Sequence, residues 1–369
     1  MIANDQLWMS KALQLAHRGI YSTHPNPRVG CVIVAENQVI GQGWHQKAGD
    51  PHAEVHALRD AGSNAKDATA YVTLEPCSHF GKTPPCADAL IKAGVKRVVV
   101  AMQDPNPKVA GRGIARLQAA GIDVTCGVLE QEAYTLNKGF IKRMCTDMPY
   151  VTVKLAMSLD GRTAMASGES QWITSSAARQ EVQRLRAQSS AVITGADTVL
   201  FDDAKLTIRS SELGLDQELT DLAMQRQPLR ILIDSNQRVP LDKAFYQSPY
   251  SLTVSGVDKP EKLKEQQAWL KLPLNQQSHI DLNTLLAKLA QDYEVNELLV
   301  EAGATLAGAF VQAGLVDEFA IFMAGKFLGS SARPLLSLPL DTMSQAINLT
   351  IKDIRAVGDD WLIKAFLAA

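Results

Sequence analysis

No stretch of this sequence approaches the roughly 20 consecutive apolar residues that a membrane-spanning helix requires. Its first residues, MIANDQLWMSKALQLAHRG, lack the basic segment and following apolar segment of a secretory signal. The expected location is therefore the cytoplasm. An excess of one charge is missing too: 37 Lys and Arg stand against 39 Asp and Glu, a formal −2. No general field draws such a chain to nucleic acid or to an anionic membrane, although a local basic pocket for a phosphate is compatible with it. Cysteines are few and odd in number: Cys31, Cys77, Cys86, Cys126 and Cys145. That excludes a disulfide framework, and in a reducing compartment it directs attention to metal binding. There is no internal repeat and no low-complexity tract. No G-x-G-x-x-G occurs in the C-terminal part, so a Rossmann dinucleotide site is not supported.

What is present has the balance of a globular protein, 46% apolar and 21% charged, and 369 residues exceed one ordinary core. The first 125 residues or so alternate short strand-like runs with helical spacing. Leu7 to His17 has a helical pattern, VGCVIVAEN and QVIGQGWH read as two strands joined at Glu36-Asn37, and a helix begins near Ala53. ATAYVTL, KRVVVAM and IDVTC follow as strands, with helices expected after Pro85 and after Gly113. Glu130 to Arg143 reads as one helix, and DMP at 147–149 as a boundary. A second series starts at YVTVKLAMSLDG and runs through SAVITG, LRILIDS, SLTVSG, NELLVEAG and DEFAIFMAG, with a polar excursion at Ser211 to Gln227. This rhythm predicts two α/β domains, residues 1–147 and 148–369, each with a largely parallel or mixed sheet covered by helices.

Chemistry concentrates first in GDPHAEVHAL at 49–58 and EPCSHFGKTPPC at 75–86. A catalytic zinc takes three protein ligands from nitrogen or sulfur and keeps a fourth position open. His52, Cys77 and Cys86 supply that set, and Glu54 would face the open position as a proton carrier rather than a ligand. Taken singly, His-x-Glu suits any solvated helix start and each Pro-Cys an ordinary buried thiol. In the order His-x-Glu, strand, Pro-Cys they match the signature of zinc nucleobase deaminases. The eight residues between the cysteines replace the two of the common form. His56, one turn beyond His52, is a neighbour rather than a ligand.

HPNPRVGCVI at 24–33, GWHQKAGDPHAE at 43–54 and EPCSHFGKTPPC closely resemble the deaminase half of the bifunctional deaminase–reductases of riboflavin biosynthesis, where the widened cysteine loop also ends in GKTPPC. The resemblance implies a cytidine-deaminase-like α/β/α fold with zinc on His52, Cys77 and Cys86, and Glu54 as proton shuttle. Asn26, His45 and His79 fall in the motif stretches and are candidate substrate contacts.

Four stretches of the remaining chain, VKLAMSLDGRTA, GESQWIT, DTVLFDDAKLTIR and VEAGATLAGAF, resemble the reductase half of the same family in the family's order. That implies a dihydrofolate-reductase-like α/β domain using NADPH. On matching positions, Ala156, Trp172, Thr198 and Asp202, with Gly303, Ala304, Thr305, Leu306, Ala307, Gly308 and Ala309, would lie along NADPH. Ser170, Arg186, Leu206, Arg209 and Glu301 would line the substrate. Arg186 and Arg209 suit a phosphate clamp, because a guanidinium binds a phosphate monoester bidentately, and Lys154 adds positive charge. Ala204 and Gly325 depart from the family pattern, where proline and an APK stretch are usual. A homodimer through the C-terminal half is also implied, with neither nucleic acid nor membrane as a partner. Two rivals differ in class. An RNA-base deaminase fused to an RNA-binding module requires a basic stripe or exposed aromatics, against which stand the near-neutral charge and 6% aromatic content. A structural zinc domain fused to a ligand sensor requires a fourth ligand, a place His79 would fill.

Overall fold

The computed structural model describes residues 2–78, 85–107 and 109–368. The chain divides into two compact units, 1–147 and 148–369. Among the described residues no helix is long and apolar enough to cross a membrane.

The N-terminal unit is built on a five-stranded sheet. Its strands are β1 (Gly30–Ala35), β2 (Gln38–Trp44), β3 (Thr69–Val72), β4 (Arg97–Val100) and β5 (Asp123–Cys126), in the order β2-β1-β3-β4-β5. β1 is antiparallel to both neighbours, and β3, β4 and β5 run parallel. Glu36 and Asn37 both have positive φ, at 48° and 60°. That is the two-residue turn whose twist matches a hairpin, and it lies where the polar pair predicts it.

Alternation along the strands sorts the core into two layers. Cys31, Ile33, Val72 and Val98 pack under the helices α2 (Ala53–Ala61), α3 (Cys86–Ala93) and α4 (Arg112–Ala119). Val32, Val34, Tyr71 and Val99 face the other way, against α1 (Ile2–His17), α5 (Glu130–Leu136) and α6 (Lys138–Thr146). The single helix expected over 130–143 is thus two. Asn137 separates them: its Oδ1 accepts from the Arg28 N–H at 2.8 Å, and its Nδ2 donates to the Arg28 carbonyl at 2.9 Å. A side chain that pairs like a strand residue competes with a continuous helix, and here it pins the segment leading to Asn26.

The C-terminal unit carries a nine-stranded sheet. In chain order its strands are β6 (Tyr150–Ser158), β8 (Ala191–Gly195), β9 (Leu229–Ile233), β10 (Ser251–Ser255), β11 (Gln267–Lys271), β12 (Glu297–Glu301), β13 (Glu318–Ala324), β15 (Leu349–Val357) and β16 (Asp360–Leu367). β7 (Arg162–Ala164) and β14 (Arg333–Pro334) form a separate two-stranded piece. The order across the sheet is β11-β10-β9-β8-β12-β6-β13-β16-β15, and all pairings from β11 to β13 are parallel. One face is covered by α11 (Leu282–Asp292) and α12 (Ala304–Gln312). The other packs on α7 (Ser176–Gln188), α8 (Ala196–Asp202) and α10 (Ala244–Gln247). The polar excursion holds α9 (Gln217–Met224), capped by the Asp216 carboxylate. The sequence pattern misses β11, β15 and β16. β15 is an exposed edge strand with charged residues among its apolar ones, so it lacks the apolar run that betrays β6 or β12.

In the N-terminal unit the Asp5 carboxylate, nearly buried, accepts from Arg97 Nη1 at 2.8 Å, Arg97 Nη2 at 3.0 Å and the Tyr71 hydroxyl at 3.0 Å. The Arg97 hydrogen bonds hold its pKa below the ordinary 3.8. A depressed carboxyl pKa stabilises the fold above the unfolded value, and that contribution is lost as pH falls through the folded one. Asp5→Asn is expected to cost about 1.5–3 kcal/mol at pH 7. In chemical denaturation of the full chain, the gap from wild type should be largest above about pH 4 and narrow as pH falls below it; a gap that widens on acidification would contradict this.

Candidate active sites

Two glycines seat the helix that starts the first site. A Cβ at Gly41 would lie 2.4 Å from the Ala57 carbonyl oxygen, and one at Gly43 would lie 2.6 Å from that of Ala53. Only bare backbone lets α2 approach β2 this closely. His52 is the extended N-cap of α2, and Glu54 lies in its first turn. Cys77 follows β3 after a short loop, and Cys86 is the first residue of α3.

His52 Nδ1 lies 3.2 Å from Cys86 Sγ and 3.6 Å from Cys77 Sγ. The Cys86 backbone N–H donates to Cys77 Sγ at 3.3 Å. All three ligand atoms fall within 4.8 Å of one another. Tetrahedral zinc, with bonds of about 2.0–2.1 Å to nitrogen and about 2.3 Å to sulfur, sets such donors roughly 3.5 Å apart. The donor set therefore fits the metal in both chemistry and spacing. Cys77 is the readier thiolate of the pair: hydrogen bonding from Cys86, with His52 adding, holds its pKa far below the usual value, and Cys86 is correspondingly raised.

A cavity of about 200 Å³ opens beside these atoms and is lined by Asn26, His45, Glu54 and Glu75 among others. Burial, helped by the Cys77 charge, pushes the Glu54 carboxyl up to about 7. Asn26 Nδ2 is 3.1 Å from His45 Nε2, and His45 Nδ1 is 3.3 Å from the Pro51 carbonyl oxygen. A proton on Nδ1 satisfies that carbonyl and leaves Nε2 to accept from Asn26. Desolvation lowers the His45 pKa, which favours this neutral form. His79 lies outside the described residues.

Sequence reading missed Glu75. Its buried carboxylate accepts four backbone N–H groups: Asp104 at 3.2 Å, Gly111 at 2.9 Å, Gly113 at 2.8 Å and Ile114 at 3.2 Å. It thereby ties the segment carrying Cys77 to the start of α4 and to the loop that walls the cavity. A glutamate directly before Pro-Cys is the only sequence signal, and its partners lie some thirty residues on.

In the C-terminal unit, a cleft of about 990 Å³ runs along the carboxyl ends of the parallel strands. Thr198, Gly303, Ala304, Thr305, Leu306 and Ala309 line it. Ala307 and Gly308 are buried on the inner face of α12. Ala156 is half-buried in β6, Asp202 ends α8, and Trp172 is exposed with the Arg179 guanidinium 4.4 Å above its ring. Ser235, Asn236 and Arg238 form a further wall that sequence reading missed. The signal was a polar run, DSNQR, directly after a buried parallel strand.

Glu301 stands opposite Lys154 across the β12–β6 pairing, and Arg186 Nε and Nη2 reach the Glu301 carboxylate at 2.5 and 3.0 Å. Desolvation lowers the Lys154 pKa, and the Arg186 charge adds to this while Glu301 opposes it. Glu301 itself is lowered: burial raises it, and Arg186, with Lys154 and Arg209 adding, outweighs that. Arg186 pairs with Glu301, the half-exposed Arg209 pairs with Glu212 at 2.7 Å, and both arginine charges act on the Glu301 carboxylate. The Leu206 side chain is buried in a core cluster, so what it offers a ligand is its main chain. Ser170 is half-buried in the stretch after β7.

The family model for the cytidine and deoxycytidylate deaminase zinc-binding region matches residues 2–102, and that for the RibD C-terminal domain matches residues 149–363. The riboflavin biosynthesis protein RibD of Escherichia coli (strain K12) is 55% identical over 361 residues, 96% of this chain and 97% of that protein. The chain belongs to the RibD family. The solved structure of Acinetobacter baumannii RibD covers all of both chains at 48% identity with a TM-score of 0.92. A Thermotoga maritima structure described as a diaminohydroxyphosphoribosylaminopyrimidine deaminase/5-amino-6-(5-phosphoribosylamino)uracil reductase has a TM-score of 0.88 at 29% identity, covering 100% of this chain and 99% of that one. As a RibD, the chain combines a zinc-dependent deaminase and an NADPH-using reductase of riboflavin biosynthesis, and its two units have the cytidine-deaminase-like and dihydrofolate-reductase-like folds.

Cys77→Ser and Cys86→Ser are each expected to lose most of the bound zinc after dialysis against a weak chelator, as read by elemental analysis. Full retention in either variant would remove that cysteine from the ligand set.

Proposed function

We propose that residues 1–147 hydrolyse the 2-amino group of 2,5-diamino-6-(5-phosphoribosylamino)pyrimidin-4-one, and that residues 148–369 then reduce the ribosyl group of the product to a ribityl chain. The observation that carries this reading is the convergence of His52, Cys77 and Cys86 at a cavity that also holds the buried Glu54. His52, Cys77 and Cys86 would hold zinc, which supplies the Lewis acidity that makes hydroxide available at neutral pH. Glu54 takes the proton of the attacking water and passes it to the ring nitrogen. It then serves the departing amine, so water is consumed and ammonia released. A carboxyl raised toward neutrality suits both directions of transfer. Asn26 and His45 face the same cavity, and we assign them to the pyrimidine.

In the second unit NADPH, lying along the cleft, supplies the hydride. Breaking the bond between the anomeric carbon and the sugar ring oxygen requires a proton for that oxygen. Lys154 and Glu301, side by side at adjoining strands, are the groups able to move one. Lys154 and Arg186 together exceed the charge of Glu301, which leaves a positive site for a phosphorylated substrate. Arg209 and the Leu206 main chain are assigned to its phosphate. We place the protein in the cytoplasm as a homodimer joined through the C-terminal half, with no nucleic acid or membrane partner.

Glu54→Gln is expected to slow ammonia release by about 10²–10⁴-fold, while NADPH oxidation on the already deaminated substrate stays at the wild-type rate. Equal losses in both assays would contradict separate sites for the two steps.

A further inference from the structure

The segment between α8 and the short turn at Ser210–Glu212 has no regular structure of its own, yet it carries Leu206 and Arg209. Asp203 and Leu206 both have positive φ, at 48° and 56°. Non-glycine residues in that region cost about 1–2 kcal/mol each unless the surroundings impose the conformation. Asp203 is the C-cap of α8, and around Leu206 side chains from neighbouring segments hold the main chain of 205–209, one peptide after another.

Arg230 Nη1 donates to the Lys205 carbonyl at 3.0 Å. Arg186 Nη1 donates to the Thr207 carbonyl at 3.0 Å. Gln227 accepts from the Ile208 N–H at 2.8 Å and donates back to the Ile208 carbonyl at 3.3 Å, as a facing strand would. Gln183 Oε1 accepts from the Arg209 N–H at 3.0 Å. Gln183 and Arg230 are buried. Arg230 sits in β9, and among the described residues its hydrogen bonds go to main-chain carbonyls. Its other donors go to the carbonyls of Phe245, Ser248 and Pro249, at 2.8, 2.7 and 2.7 Å, and desolvation draws its pKa down to about 10. A buried guanidinium held by carbonyls costs more at a strand position than an apolar residue would. Its hydrogen bonds explain the choice, because they fix this segment to the sheet and to the end of α10.

We propose that Gln183, Gln227 and Arg230 are positioning residues of the reductase. They set the main chain of 205–209 so that the Leu206 peptide and the Arg209 guanidinium meet the substrate phosphate. The proposal rests on the reading above that Leu206 and Arg209 face that phosphate. Arg186 couples the same segment to Glu301, so the phosphate contacts and the proton-carrying pair share one rigid frame.

Gln227→Met keeps the length of the side chain and removes both bonds to Ile208. Its KM for the deaminated phosphorylated substrate should rise about tenfold. The KM for NADPH and ammonia release by the N-terminal unit should stay within about twofold of wild type. Activity on the dephosphorylated riboside should not change, since the contact being misplaced is absent there. Gln227→Glu keeps the acceptor for the Ile208 N–H and should recover part of the loss. Arg230→Met should act in the same direction, and Gln227→Met keeps the test decisive where that buried substitution prevents folding. A Gln227→Met protein with a lower Tm but unchanged substrate KM, or with phosphorylated and dephosphorylated substrates affected alike, would overturn the proposal. Arg209→Ala separates it from the reading beneath. If Arg209→Ala leaves the substrate KM unchanged, the phosphate assignment fails and takes the proposal with it. If Arg209→Ala raises KM and Gln227→Met does not, the positioning role alone fails.

Discussion

Parallel strands constrain both units in the same way: they deliver chemistry-bearing residues at their carboxyl ends, where the following loops and helix starts converge. In the first unit β3 leads into Glu75-Pro76-Cys77, and the helix starts of α2 and α3 bring His52 and Cys86 to the same edge. In the second, β12 ends in Glu301 and passes through Gly303 into α12, while β8 runs straight into α8 with Thr198. Once the strands pair in register, Lys154 has no alternative but to stand beside Glu301. The sites need little construction beyond that pairing.

The two sites manage buried charge differently. Around the zinc ligands an anionic set is gathered, and the carboxylate next to it is kept near neutrality by burial. Glu75, also buried, is instead satisfied by four backbone N–H groups, which meet the hydrogen-bonding demand of a buried carboxylate. In the reductase unit two cations flank one carboxylate, and the surplus is positive. A chain of net −2 thus holds local fields of opposite sign, suited to a metal in one place and a phosphorylated sugar in the other.

The convergence of His52, Cys77 and Cys86 was legible because each is tied to its motif by one or two residues: His52 to Glu54, Cys77 and Cys86 to their prolines. The hairpin at Glu36-Asn37 and the buried strands were legible from turn chemistry and apolar runs. What was not legible depends on pairing across long separations. Asn137 breaks a helix because Arg28, more than a hundred residues away, offers it a strand-like partner. Gln183 and Gln227 look like ordinary polar residues near a helix and a turn until the 205–209 segment is laid between them. Edge strand β15 escaped because an exposed strand need not be apolar. The commitment of Arg186 to Glu301 was likewise invisible, since a lone arginine on a helix gives no sign of which carboxylate it will meet.

The proposed order of the two chemistries, at two sites of one chain, is open to direct measurement. Zinc-loaded protein given the diaminopyrimidine riboside phosphate tests it most directly, with ammonia and NADPH followed together. Ammonia should appear at the same initial rate with or without NADPH, and NADPH oxidation should begin only after a lag as deaminated product accumulates. NADPH oxidation without any ammonia release, or ammonia release that requires NADPH, would contradict it.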